Sequence, residues 1–91
     1  MEIEYDPEKS AANRKKHGLS LEQARQLWEV PAVVLRARTV GEERFMIMGL
    51  LGQKMYWAIF TMRGETARLI SARRSHKKEE RIYHEALKKK D

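Results

Sequence analysis

The chain has 91 residues, no cysteine, 19 lysines and arginines against 13 aspartates and glutamates, and a formal charge of +6. That length holds a single domain, residues 1–91, with a modest core, and the missing thiols exclude disulfides, thiolate catalysis and cysteine-ligated zinc. No apolar run approaches the roughly 20 residues that span a bilayer, and the start Met1-Glu2-Ile3-Glu4 is acidic where a secretory signal is basic, so a cytoplasmic protein without a membrane partner is expected.

In chain order, Glu2 to Tyr5 alternates polar and apolar residues and reads as a short strand. Asp6-Pro7 then opens a helix over 7–17, Asp as cap and Pro at the first helical position. The apolar positions of this helix are Ala11 and Ala12, which suit it to pack through a small patch. Lys9, Asn13, Lys16 and His17 fall at helical spacings that gather them on one side. Gly18 supplies a left-handed stop, and Ser20 with Gln23 forms a capping box for a second helix over 21–30. Leu21, Ala24, Leu27 and Trp28 make its buried face, and Pro31 ends it.

Val33, Leu35 and Ala37 alternate with Val34, Arg36 and Arg38, as in a strand with one wet face. Past Gly41-Glu42, the stretch from Phe45 to Leu51 is apolar on both faces and reads as an internal strand. Turns at Gly52-Gln53 and Arg63-Gly64-Glu65 bound a third strand over 54–62, and a fourth covers 66–73. From about 75 a helix buries Ile82, Tyr83, Ala86 and Leu87, and residues 88–91 read as a frayed tail. The fold class is α+β: N-terminal helices, an antiparallel meander of about four strands and a C-terminal helix. One sheet face is expected under the helices, the other face, or its rim, free to display arginines.

Charge is uneven along the chain. Residues 1–31 carry five basic and six acidic side chains, residues 32–91 fourteen and seven. The surplus suits a polyanion or an acidic protein, because phosphate contacts by Lys and Arg gain affinity through counterion release. His17, His76 and His84 show no ligand spacing and no carboxylate cluster stands out, so the sequence offers neither a metal site nor a need for a cofactor. His76 and His84 read as surface residues of the last helix. Ser10, Ser20, Ser71 and Ser75 lie in no nucleophile elbow. Metal-free RNA cleavage asks less of a protein, since the 2′-hydroxyl is the nucleophile and Arg, Lys and His supply charge and proton transfer.

Asp6-Pro7-Glu8-Lys9, Asn13, the turn Lys16-His17-Gly18-Leu19-Ser20, the stretch Arg68-Leu69-Ile70-Ser71-Ala72-Arg73, and Glu79 with Tyr83 occur in this order. Together they resemble the BrnT family of toxins from bacterial type II toxin-antitoxin systems, nearly end to end. Arg44 and Gly49 also fall where that pattern has an arginine and a glycine. The resemblance implies a RelE-like toxin fold, metal-independent endoribonuclease activity that inhibits translation, and neutralisation by a cognate BrnA-type antitoxin. Operator DNA would then be contacted only through the antitoxin. Tyr5 stands where many relatives have Trp, Ser75 where Ala is usual, and the acidic residue often seen after the second helix is missing.

On this resemblance the catalytic candidates are Lys16, His17, Arg44, Arg73 and Glu79. His17 is a proton carrier or a helix-end cap favoured by the macrodipole; Lys16 holds a phosphate or points to solvent. Arg73 stabilises transition-state charge or pairs structurally with Glu79, which would orient it. Arg44 is a second phosphate ligand or a charge protecting a strand edge. Lys9, Asn13, Arg36, Arg38, Arg63, Arg68 and Tyr83 are the candidates for holding RNA, although Tyr83 reads first as core whose hydroxyl could reach the site. The competing classes are a non-catalytic RNA- or DNA-binding module with a basic sheet face and a purely protein-binding scaffold.

Overall fold

The computed structural model describes residues 1–37 and 41–89. Five strands and three helices follow one another as β1 (Glu2–Glu4), α1 (Pro7–His17), α2 (Leu21–Ala24) continued by a 3-10 segment (Arg25–Glu29), β2 (Ala32–Ala37), β3 (Arg44–Leu51), β4 (Lys54–Arg63), β5 (Thr66–Arg74) and α3 (Lys77–Lys88). The fold is α+β as expected. Its sheet, however, has five strands in the order β1-β5-β4-β3-β2, not four. The extra member is β1, which pairs parallel to β5 through Ile3 and Ala67, so the sheet is mixed. The anticipated meander survives as β2 to β5, antiparallel throughout. No helix among the described residues is long and apolar enough to cross a membrane.

Caps set the first helix. Asp6 accepts a hydrogen bond from the Glu8 N–H at 2.8 Å, Pro7 needs no partner for its nitrogen, and Gly18 closes the end at φ 78°. Ser20 and Gln23 make the reciprocal box that opens α2. A single α-helix over 21–30 is not found: after one turn the chain tightens into 3-10 geometry from Arg25. That segment passes close over β3. A side chain at Gly49 would meet Val30, Leu27 and the Pro31 carbonyl at 3.2–3.3 Å, so only glycine leaves room.

The main core lies between α2, its 3-10 continuation and the first face of the sheet. Leu21, Ala24 and Leu27 are completely buried there against Ile47, Ala58, Phe60, Ala67, Leu69 and Ala72. Trp28 meets Phe60 edge-on with ring centroids 5.0 Å apart. The helices stop short of β2, leaving a groove of about 440 Å³ lined in part by Trp28, Val34, Phe45 and Met62.

The second face is only partly free. Helix α3 lies over one end of it, packing Tyr83 against Val33, Met48 and Met55, with Trp57, Ala86 and Leu87 at the margin. Ile82, assigned to this stripe from the sequence, is 45% exposed. The helix includes Lys88, where a frayed tail was expected.

Helix α1 docks through polar atoms, not through Ala11 and Ala12, which are exposed. Ser10 and Asn13 are its buried residues. Asn13 Nδ2 donates to the Ala72 and Leu19 carbonyls, both at 2.7 Å, and Asn13 Oδ1 accepts from the Ala72 N–H at 3.2 Å. β1 pairs with β5 only as far as Arg68. Beyond it, the Asn13 amide stands where another strand's backbone would, satisfying groups that would otherwise be buried unpaired.

Candidate functional site

Which arginines share a surface is decided by strand register. Arg68 pairs with Thr61 and Arg73 with Trp57, so both belong to the second face although five residues separate them. Strict alternation would put them on opposite faces. A bulge reconciles the two: Phe60 pairs with Leu69 and Ile59 with Ser71, leaving Ile70 as an extra residue. Arg63 and Arg44 fall on the same face by pairing with Thr66 and Ala37. Arg36 does not. It pairs with Phe45 of the main core, which places it on the helix side, and its guanidinium is 3.0 Å from Glu43. Arg38 lies outside the described residues.

At the α3 end of this face the sequence candidates converge. Arg73 Nη1 and Nη2 donate to Glu79 Oε1 and Oε2 at 3.2 and 2.9 Å, and Nη1 also donates to the Arg74 carbonyl at 2.9 Å. The guanidinium lies 4.2 Å from the centre of the Trp57 ring. Trp57 Nε1 donates to Glu79 Oε1 at 3.3 Å, and the His76 N–H reaches the same oxygen at 2.8 Å. One carboxylate therefore joins β4, β5 and the start of α3. Burial pushes the Glu79 pKa upward, but the His76 N–H, the Arg73 guanidinium and the Trp57 N–H outweigh it, and the result lies below the usual glutamate value. Glu79 is thus ionised at neutral pH, a state suited to holding a cation and not to donating a proton.

The other candidates sit apart. Arg44 is four residues and two strands away from Arg73, a displacement of roughly 13 Å along the strand and 10 Å across it. Arg68 is tied to Glu4 at 3.2 Å. Lys9, Lys16 and His17 are exposed on α1. No hydrogen bond or ion pair among the described residues links Lys16 or His17 to Arg73 or Glu79. Asn13 ties α1 to β5 at Ala72, the neighbour of Arg73, and His17 follows one turn later on the same helix.

Two RNA-facing assignments are corrected. Asn13 is buried with both amide hydrogens and its oxygen engaged by backbone, so it has nothing to offer a ligand. Tyr83 is 4% exposed, and its hydroxyl donates to the Pro31 carbonyl at 3.0 Å, which makes it core.

Sequence reasoning missed Trp57, within the strand expected over 54–62, and the backbone of His76. Nothing in local spacing marks either, because their roles arise from pairing between β4 and β5 and from the α3 cap. Among the described residues, no three His, Asp or Glu side chains gather closely enough to hold a metal ion.

Known proteins supply the remaining observation. A search of curated proteins finds no match to the chain. The family model for the ribonuclease toxin BrnT of type II toxin-antitoxin systems matches residues 5–79. This match takes in the four strands β2 to β5, the Lys16 to Ser20 turn, Arg73 and Glu79. The chain belongs to the BrnT family of ribonuclease toxins, whose type II membership implies an RNA target and an antitoxin partner.

Proposed function

We propose that the protein is the cytoplasmic toxin of a BrnT/BrnA-type pair, a RelE-like endoribonuclease that cuts RNA without a metal ion and so inhibits translation. In this reading the 2′-hydroxyl attacks the neighbouring phosphorus, the bond to O5′ breaks, and a cyclic phosphate and a free 5′-hydroxyl remain. A base takes the 2′-hydroxyl proton, an acid protonates O5′, and fixed positive charge stabilises the pentacoordinate intermediate. Arg73 supplies that charge. His17, one turn past Asn13 on α1, carries a proton, with Lys16 beside it on the phosphate. Arg44, Arg63 and Arg68 receive flanking phosphates along the second face, while Arg36, Lys9 and Arg38 add to the general field around the molecule. A cognate BrnA-type antitoxin neutralises the toxin and carries the operator DNA contact.

The observation that supports this reading best is Arg73, a guanidinium fixed by a carboxylate and an indole on the arginine-bearing face. Incubating RNA with the purified protein in EDTA tests it. Cleavage that persists in chelator and falls about 100- to 1000-fold in Arg73→Ala is expected. Salt-sensitive RNA binding without cleavage would replace it with the non-catalytic module.

A further inference from the structure

A guanidinium has five N–H donors in a fixed plane. In Arg73 three are committed: two on Nη1, to Glu79 and the Arg74 carbonyl, and one on Nη2, to Glu79. What remains is Nε–H and the second Nη2–H. These two point the same way from one edge of the plane, at the spacing that receives two oxygens of a phosphate. Neither has a partner among the described residues. The Arg73 side chain is 28% exposed, so the plane is anchored but reachable.

Trp57 and Glu79 determine which edge is left over. Glu79 occupies the end of the fork, the guanidinium carbon lies over the indole ring, and the indole N–H holds Glu79 in turn. Trp57 thus acts on the guanidinium twice, directly through its ring and indirectly through its N–H. We propose that Trp57 and Glu79 are positioning residues that turn the Nε/Nη2 edge of Arg73 outward as a two-pronged receptor for the scissile phosphate. This rests on the reading of Arg73 as the charge-stabilising group and adds the geometry by which it works. A lysine at position 73 would keep the charge but lose both the paired donors and the flat surface that the indole supports.

The experiment compares Arg73→Ala, Arg73→Lys, Trp57→Phe, Trp57→Leu and Glu79→Gln for kcat, KM and thermal midpoint. Side-chain 15N spectra of Arg73 are recorded with a 2′-O-methylated RNA oligonucleotide, which lacks the nucleophile. We expect the Nε–H resonance to shift on adding the oligonucleotide. Trp57→Leu should lower kcat about 100-fold at little cost in KM. Trp57→Phe, which keeps a ring but no N–H, should fall between it and the parent. Arg73→Lys should fail to restore what Arg73→Ala loses. Full activity in Arg73→Ala would remove the underlying reading. An inactive Arg73→Ala beside a folded Trp57→Leu of undiminished kcat, or an unmoved Nε–H in the RNA-bound protein, would overturn the positioning proposal alone.

Discussion

The two faces of the sheet are closed by different means. Beneath α2 and its 3-10 continuation, the first face is sealed by neutral apolar side chains such as Leu21, Leu27 and Leu69, each with 2% exposure or less. Beneath α3, the second face has a smaller apolar cluster around Tyr83 and, at the start of the helix, adds an ion pair beside an indole, with side chains 28% and 23% exposed. Apolar contacts are non-directional and tolerate sliding, whereas a bidentate pair fixes an angle. The contrast teaches that stability and orientation are placed on opposite sides of one five-stranded layer. Changes to the first face should cost stability and spare chemistry per folded molecule; changes around the ion pair should cost chemistry more than stability.

The strongest test of that division is Leu27→Ala. It should destabilise by about 3 kcal/mol, read from the urea midpoint, while cleavage per folded molecule is unchanged. A large loss of cleavage at full folding would break the division. Next, Asn13→Ala leaves the Ala72 N–H and two carbonyls without their partner and should cost about 2 kcal/mol. Hydrogen exchange should then quicken at Ala72 first. Asn13→Asp should be worse, since it sets carboxylate oxygens against two carbonyls.

Glu79→Gln sharpens the second face. It should destabilise by roughly 1 kcal/mol at neutral pH, measured by thermal unfolding. Because the Glu79 pKa is lowered on folding, its contribution is complete above the unfolded-state pKa and disappears as pH falls through the folded-state value. The gap between parent and variant should therefore narrow in acid. A gap that widens would sink the assignment of charge-assisted bonding to Glu79. Smallest is Ser75→Ala. The Ser75 hydroxyl is buried without a hydrogen-bond partner, so its removal should raise the thermal midpoint by the equivalent of about 1 kcal/mol or less.

How far the sequence was readable follows from the range of the forces involved. The bounds of α1 came directly from Asp6-Pro7 and Gly18, since capping acts within a few residues. The β3 to β5 turns were equally visible. Alternation, by contrast, reports a period and not a partner. It showed β1 as a strand without revealing that it would lie parallel to β5. It also assumed an unbroken period, so the extra residue at Ile70 that brings Arg73 onto the face of Arg68 left no trace. Helix α1 was judged by its alanines, yet the residues that hold it are Ser10 and Asn13, because the open side of β5 needed hydrogen bonds more than methyl groups. Arg73 and Glu79 were found through resemblance to relatives; Trp57, recognised by neither route, required the register.

Asn13 has one more effect, on how copies of this molecule meet. One margin of the sheet offers a neighbour only the three residues of β1 before α1 and its amide close it off. The other margin, β2, presents six residues, with Val34 half open to solvent. Edges of such unequal length disfavour the strand-on-strand repetition that builds fibres, since a chain docked on β2 finds no equally long edge opposite.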